Sequence, residues 1–133
     1  DTGVVGIHDA VRPFPSVETI QRCFAQAKAQ GSAVPVVPVK DSIRKMDREG
    51  ASSQAVDRSV LRAVQTPQCF DLATLKAAFE TDYRPEFTDD ASVMEAAGHE
   101  VQLCEGDPWN VKVTTPEDLI IAKAFVQAAW PNS

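Results

Sequence analysis

Short apolar runs that alternate with amphipathic segments restrict this chain to an α/β fold. Residues 4–8 form the first run, and the β-branched side chains in it predict a buried strand. A helix is predicted to follow between Ser16, a capping residue, and Gly31, which suits a helix C-terminus. Strand and helix alternate in this way to the end of the chain. We therefore expect a largely parallel sheet flanked by helices.

The remaining elements follow from the same patterns. Further strands are predicted at 33–39, 60–64, 101–103 and 111–113, and further helices after Asp71, Thr88 and Thr115, the last running to about Ala129. Gln65 to Gln68 are predicted to form a loop. The run at 33–39 contains Pro35 and Pro38, which cannot donate backbone hydrogen bonds. We expect that strand to be irregular or to lie near a sheet edge.

Residues 40–59 interrupt the alternation with a polar, charged stretch that lacks helical periodicity. This stretch is too long for a simple connection in a compact domain. We interpret it as a protruding arm of two strands that turns near Glu49 and Gly50.

The overall charge argues against some classes of binding partner. A net charge of −6 argues against broad binding to nucleic acid or to anionic membranes, and no apolar run approaches the length of a membrane span. Cys23, Cys69 and Cys104 show no paired spacing, which favours reduced thiols in a cytoplasmic protein. The two histidines are too scattered for a zinc site.

Charged residues directly after predicted strands are the first candidates for function. Asp9 and Arg12 follow the strand at 4–8, and ligands of open α/β sheets bind beyond the carboxyl ends of strands. A carboxylate and a guanidinium there can hold a metal, a ribose or a phosphate, although a turn cap with a surface arginine is an equal alternative. Lys112, between two valines, is either a solubility charge on an edge strand or a phosphate ligand.

Other polar residues leave similar alternatives open. Thr66 and Thr88 stand at junctions between strands and helices, where capping is the commoner role of threonine. Arg58 lies in the polar arm, where an arginine is usually solvated. The sequence contains no Walker-type loop and no G-x-G-x-x-G motif, so it offers no glycine-rich phosphate cradle of its own.

Six segments taken together resemble the 2-C-methyl-D-erythritol 4-phosphate cytidylyltransferase family. They are HDAVRPF (8–14), PVKDSIRK (38–45), VDR (56–58), QTPQCF (65–70), FTDDASVMEAAG (87–98) and EGDPWNVKVTTPEDL (105–119). The related ribitol-5-phosphate cytidylyltransferases share a segment like HDAVRPF and the QTPQ loop. The VDR and TDDAS segments fit the methylerythritol family better.

The resemblance implies a Rossmann-like nucleotidyltransferase fold, of which residues 1–133 would be a partial domain. The family's N-terminal third, with its glycine-rich CTP loop, has no counterpart in this sequence. The implied reaction joins CTP to methylerythritol phosphate and releases pyrophosphate, in a homodimer held by an arm at residues 39–59. A non-catalytic piece that keeps the arm and the acceptor side is the alternative for this chain alone.

The resemblance also implies roles for individual residues. Lys112 and Arg58 would be catalytic, with Arg58 reaching the neighbouring subunit's site. Substrate would be bound by Asp9, Arg12, Ser42, Arg58, Thr66, Thr88, Glu105 and Thr114. The family usually has a threonine where this chain has Ser42. Mg²⁺ is the expected cofactor, bridging triphosphate oxygens with few protein ligands, and Asp9 is its candidate ligand.

Overall fold

A computed structural model describes residues 2–129. Within this range the chain forms one five-stranded sheet, a separate two-stranded hairpin and helices on both faces of the larger sheet. The strands are β1 (Val4–Ile7), β2 (Ser32–Pro38), β3 (Ile43–Met46), β4 (Ser53–Val56), β5 (Arg62–Val64), β6 (Gln68–Asp71) and β7 (Leu103–Glu105). The helices are α1 (Val17–Gln30), α2 (Leu72–Ala78), α3 (Asp90–Ala96) and α4 (Pro116–Ala129), with a 3₁₀ turn at Arg58–Val60.

The α/β class with flanking helices is confirmed, but the prediction of a mostly parallel sheet is wrong. The sheet runs in the order β1-β6-β2-β5, with β7 paired to β2, and between residues 2 and 129 only the β2–β7 pairing is parallel. The reason is β6, a strand that was not predicted and whose first residue, Gln68, was assigned to a loop. It runs antiparallel between β1 and β2 and so separates two strands that point the same way.

Strand β2 lies inside the sheet with partners on both sides, although its prolines predicted a strand that is irregular or lies near a sheet edge. It pairs with β6 and then β5 along one side and with β7 along the other. The Pro35 carbonyl accepts a hydrogen bond from Gln65 N at 2.8 Å, at the break between β5 and β6. The missing N–H of Pro35 faces the same break, because both backbone groups of a strand residue point to one side. The proline therefore removes no hydrogen bond from a neighbouring strand.

The two faces of the sheet carry separate cores because side chains alternate along each strand. On one face, α1 packs through Cys23 and Ala27 against Ala33, Cys69 and Cys104. The opposite face carries the larger cluster: Val34 and Phe70 of the sheet with Leu75, Ala78, Ala91, Val93 and Met94 of α2 and α3. Consecutive residues such as Ala33 and Val34 thus serve opposite cores.

The predicted helix boundaries are confirmed by their capping contacts. The Ser16 side chain accepts from Thr19 N, and Gly31 ends α1 in the left-handed region with a φ of 88°. Asp71 and Asp89 cap α2 and α3 in the same way, through Thr74 N and Ser92 N. Each cap involves residues within four positions of one another, which is why the sequence alone predicts them.

The predicted arm is confirmed as a hairpin of β3 and β4, in register from Ile43–Val56 to Met46–Ser53. Asp47 organises its tip, since its carboxylate accepts from the backbone N–H groups of Ala51 and Ser52 at 2.8 and 3.0 Å. Gly50 takes a φ of 71° in the turn, a conformation that glycine adopts readily. Ile43 and Met46 leave apolar surface exposed along the arm.

The predicted strand at 111–113 is absent, and these residues form an extended loop. A backbone hydrogen bond from Val113 N to Val11 O at 2.8 Å joins the loop to the segment after β1. The predicted alternation nonetheless holds, since Val111 and Val113 are half-buried while Lys112 is exposed. Among the helices between residues 2 and 129, none combines the length and apolar composition needed to cross a bilayer.

Candidate active site

The end of β1 and the junction between β5 and β6 border a polar pocket of about 420 Å³. The loop at 111–114 and the start of α3 complete its walls. Its lining residues are Ile7, His8, Asp9, Arg12, Val64, Gln65, Thr66, Gln68, Thr88, Asp89, Asp90 and Lys112. Five predicted site residues therefore meet in one pocket: Asp9, Arg12, Thr66, Thr88 and Lys112.

Asp9 links the two cations of the pocket. Its Oδ2 lies 3.1 Å from Arg12 Nε and 3.8 Å from Lys112 Nζ. Half of the Lys112 side chain remains exposed, at 52%, whereas the Arg12 side chain is only 11% exposed. Lys112 is therefore the more accessible cation for an anionic ligand.

Arg12 joins three segments of the pocket wall. Besides its contact with Asp9, it donates from one terminal nitrogen to the Asn110 carbonyl at 2.7 Å and from the other to the Val64 carbonyl at 3.4 Å. Each of its three nitrogens thus has a partner within the chain. The guanidinium stabilises the shape of the pocket, in addition to any contact it makes with a ligand.

Thr66 positions the backbone of the Asp9 segment. Its hydroxyl oxygen accepts from Asp9 N at 3.0 Å and bonds His8 Nδ1 at 2.9 Å, while His8 Nε2 bonds the Arg12 carbonyl at 2.8 Å. A neutral imidazole that donates from Nε2 and accepts at Nδ1 satisfies all three contacts. His8 was not a predicted site residue, although it adjoins Asp9 in the sequence.

The start of α3 brings further polar groups that the sequence analysis missed. The Gln68 amide is buried in the sheet, donating to Asp89 Oδ2 at 3.0 Å and accepting from Ala91 N at 3.0 Å. Asp90 makes no such contact with another residue between positions 2 and 129. Burial, followed by the nearby Asp89 charge, raises the pKa of Asp90. The FTDDAS segment was the available signal, but only Thr88 was predicted to contribute to the site, and Asp89 and Asp90 were given no role in it.

A second cleft, of about 640 Å³, adjoins the pocket across Thr88, Asp89 and Asp90. Phe79, Tyr83 and Phe87 give that cleft an aromatic wall. The pocket itself carries three carboxylates against two permanent cations. A phosphate ligand would therefore benefit from additional positive charge.

Gly106 stands where the loop before Lys112 packs closely against Gln65, a residue of the pocket wall. A Cβ built on Gly106 would lie 2.6 Å from Gln65 Oε1 and 2.9 Å from the Val36 carbonyl oxygen. The Gln65 amide in turn bonds both backbone groups of Asp107, at 2.8 and 3.0 Å. The close approach at Gly106 therefore seats the loop that leads to Lys112.

Four predicted site residues do not line the pocket within this chain. Ser42 and Arg58 lie in the arm region, where Arg58 donates to the Lys40 carbonyl. The Glu105 backbone accepts from Arg22 at 2.7 Å, and its exposed side chain lies outside the pocket. Thr114 bonds Asp118 Oδ2 at 3.1 Å at the start of α4. The hydroxyl that caps α4 is that of Thr115, which accepts from Asp118 N at 3.2 Å.

In the part of the chain that the structure describes, side chains alone do not form a metal site. Among residues 2–129, no group of three or more histidine, cysteine, aspartate or glutamate side chains is arranged to hold a metal ion. Asp9 Oδ2 is already shared between two cations, and Asp89 bonds Gln68. The pocket suits at most a cation that a phosphate ligand brings with it, since Mg²⁺ needs only one or two carboxylates in such a case.

An α/β domain with a charged pocket beyond the end of a strand defines a class that binds small polar ligands. Comparison with known proteins narrows this class. Residues 1–128 match the profile of the family described as IspD, 2-C-methyl-D-erythritol 4-phosphate cytidylyltransferase. The 2-C-methyl-D-erythritol 4-phosphate cytidylyltransferase of Bacteroides fragilis is 49% identical over 124 residues, which are 93% of this chain and 56% of that protein.

Solved structures agree with the family match. The 2-C-methyl-D-erythritol 4-phosphate cytidylyltransferase of Thermus thermophilus superposes with a TM-score of 0.81 at 35% identity, covering 93% of this chain and 62% of that one. The 4-diphosphocytidyl-2C-methyl-D-erythritol synthase of Anaerococcus prevotii gives 0.82 at 28% identity, covering 94% and 59%. The chain belongs to the 2-C-methyl-D-erythritol 4-phosphate cytidylyltransferase family, and it spans little more than half the length of the curated relatives it matches.

Proposed function

We propose that this chain forms the acceptor side of a cytidylyltransferase site that joins CTP to 2-C-methyl-D-erythritol 4-phosphate. The supporting observation is the meeting of Asp9, Arg12, Thr66, Thr88 and Lys112 in one pocket of a family member. Hydroxyl and carboxylate groups there suit a polyol, and Lys112 suits a phosphate. In this proposal the chain alone binds methylerythritol phosphate and does not turn over, since its sequence holds no glycine-rich CTP loop.

The proposed reaction is an in-line displacement at phosphorus. A phosphate oxygen of methylerythritol phosphate forms a bond to the α-phosphorus of CTP, and the bond from that phosphorus to the bridging oxygen breaks. Pyrophosphate leaves with the electron pair, and no covalent enzyme intermediate is needed. Catalysis then consists of positioning and charge stabilisation, in which Lys112 faces the negative charge of the phosphates.

Magnesium is proposed as the cofactor, held mainly by phosphate oxygens. Asp9 and Asp90 both line the pocket and are the carboxylates that would contact it. A bound Mg²⁺ would neutralise phosphate charge in a site that itself carries more carboxylates than cations. NMR of the carboxyl groups tests this placement. Mg²⁺ added together with methylerythritol phosphate should shift the Asp9 and Asp90 signals and leave the Asp47 signal unchanged.

The arm is proposed to join two copies of the chain and to bring Arg58 to the partner's pocket. Its strands expose Ile43 and Met46, and Val60 beside it is 75% exposed. Arg58 is exposed and bonds only a backbone carbonyl between residues 2 and 129. An arginine from a second copy would supply positive charge to a pocket that carries three carboxylates. Ser42 and Glu105 are also proposed as substrate contacts.

A cytoplasmic location is also proposed. The three cysteines are free and buried, which suits a reducing compartment. The proposal includes no nucleic-acid or membrane partner, in keeping with the net charge of −6.

Calorimetric titration of the chain tests the acceptor side directly. We expect methylerythritol phosphate to bind, and Lys112→Ala to weaken that binding by about tenfold or more because a charged hydrogen bond is lost. Lys123→Ala, an exposed lysine on α4, is the matched control. CTP with Mg²⁺ should bind the chain poorly, and micromolar affinity for CTP would contradict the proposed dependence on a further segment.

A fusion protein tests the reaction. The chain is joined to the part of the Bacteroides fragilis relative that it does not match, and pyrophosphate release is measured with CTP. We expect turnover with methylerythritol phosphate and not with ribitol 5-phosphate. Turnover of ribitol 5-phosphate alone would reverse the substrate assignment, and a folded fusion protein that is inactive with both would favour the non-catalytic alternative.

A further inference from the structure

Asn110 is completely buried and lies two residues before Lys112. Its side-chain amide donates from Nδ2 to the Thr66 carbonyl at 2.6 Å. Its backbone carbonyl accepts from Arg12 at 2.7 Å, and its backbone N–H donates to the Asp107 carbonyl at 3.0 Å. A single residue thus contacts the three segments that carry Arg12, Thr66 and Lys112.

The hydrogen bond from Nδ2 to the Thr66 carbonyl is the contact that explains an amide side chain at position 110. No group between residues 2 and 129 donates to its Oδ1, which is fully buried. A buried acceptor without a donor is unfavourable, and an apolar side chain of similar size would avoid that cost. The benefit of an amide at this position is therefore the bond from Nδ2 to Thr66.

The bond to Thr66 continues to the Asp9 segment. Thr66 holds Asp9 N and His8 through its hydroxyl, so Asn110 connects the loop of Lys112 with the loop of Asp9. The contact of 3.8 Å with Asp9 is the only polar contact of the Lys112 ammonium among the described residues. A long, half-exposed side chain with one weak contact depends on its backbone for its position.

We infer that Asn110 is a positioning residue, whose amide holds the Lys112 loop against the Thr66 segment so that the Lys112 ammonium faces Asp9. The effect on a phosphate ligand rests on the proposed function. The geometric part of the inference does not, because it concerns only contacts within the chain.

NMR of lysine side chains labelled with ¹³C at Cε tests the geometric part in the intact 133-residue chain. Lys112→Arg identifies the Lys112 signal, and Asp9→Asn shows where that signal lies without its ion pair. We expect Asn110→Asp and Asn110→Leu to move the signal toward the Asp9→Asn position. Asp118→Asn, an exchange of carboxylate for amide on the other side of Lys112, should leave the signal unchanged.

The Asn110→Leu variant separates positioning from stability. It removes the unpartnered acceptor together with the donor, so its thermal midpoint should stay closer to that of the wild type than the midpoint of Asn110→Asp. We nevertheless expect its affinity for methylerythritol phosphate to fall by about tenfold, because the lysine is displaced. A purely structural residue would change affinity only in parallel with stability.

Two results would overturn the inference. One is an unchanged Lys112 signal in a folded Asn110→Leu or Asn110→Asp variant, and the other is wild-type affinity in Asn110→Leu. If the wild-type chain does not bind methylerythritol phosphate, the proposed function fails while the Lys112 signal still decides the role of Asn110. If Asn110→Asp does not fold, the Lys112 signal and the affinity for methylerythritol phosphate are both measured in Asn110→Leu.

Discussion

The pocket and the arm both carry arginines, but in opposite surroundings. Arg12 is 11% exposed, and all three of its nitrogens bond groups within the chain. Arg58 is exposed, and among the described residues its only hydrogen-bond partner is the Lys40 carbonyl. The difference indicates that Arg12 holds a site together, whereas Arg58 is available to act on something outside its own fold.

The same contrast holds for carboxylates. Asp47 stabilises the tip of the arm through three hydrogen bonds from Ala51 and Ser52, the shortest at 2.6 Å. Asp90 in the pocket is partly buried beside Asp89, and its carboxylate bonds no other residue among those described. One carboxylate serves the structure, and the other is available to a ligand.

The largest effect is expected for Lys112→Ala in the active fusion protein. Turnover should fall by about 10² to 10³, since a preorganised donor to the reacting phosphates is removed. The free energy of unfolding should change by less than about 0.5 kcal/mol, because the side chain is half-exposed. Pyrophosphate release and urea unfolding measure the two effects, with Lys123→Ala as the control. A variant that unfolds but keeps its specific activity would make Lys112 structural.

Arg12→Ala tests whether the pocket arginine holds the site together. It should lower the free energy of unfolding by about 2–4 kcal/mol, because Asp9 and two carbonyls lose a charged donor. Binding of methylerythritol phosphate should weaken at the same time. Urea unfolding provides the measurement, and Arg22→Ala, an exposed arginine with one backbone contact, is the control. Unchanged stability with lost binding would show that Arg12 acts on the ligand alone.

Arg58→Ala tests the opposite behaviour in the arm. Turnover of the fusion protein should fall by about tenfold or more, while the free energy of unfolding changes by less than about 0.5 kcal/mol. Mixing Arg58→Ala subunits with Lys112→Ala subunits should restore part of the activity, because one pocket of each mixed dimer is then intact. Arg48→Ala, at the tip of the arm, is the control. If the mixture stays inactive although mixed dimers form, the site is not shared.

The smallest effect is a difference in titration between the two carboxylates. Hydrogen bonds from Ser52 lower the pKa of Asp47 below its ordinary 3.8, and burial beside Asp89 raises the pKa of Asp90 above it. Carboxyl ¹³C signals should therefore show Asp90 taking up its proton at higher pH than Asp47. The Asp47 carboxylate contributes to the free energy of unfolding at pH values above its pKa in the unfolded chain. This contribution is lost as the pH falls through the lower pKa that Asp47 has in the folded chain. Equal titration midpoints would contradict the comparison.

Features that depend on neighbours in the sequence were predicted well. The caps at Ser16 and Asp71 and the turn at Gly50 follow from residues a few positions apart. The meeting of Asp9 and Lys112 was also predicted, through the family resemblance, which implied roles for both residues in one substrate site. The polar contacts at the start of α3 were missed, since they join Asp89 to Gln68, 21 residues earlier in the chain, and only Thr88 was considered in that segment.

The sequence by itself determined the helix boundaries, the hairpin of the arm and membership of the family, because these depend on local contacts and on motifs in order. Only the tertiary structure decided the direction of β6, the hydrogen bonds of the Arg12 guanidinium and the contacts of the buried Asn110. Arg12 and Asn110 lie 98 residues apart, and Thr66 and Asn110 lie 44 apart. Contacts between residues so far apart in the chain form only when the whole sheet assembles, so no local sequence pattern predicts them.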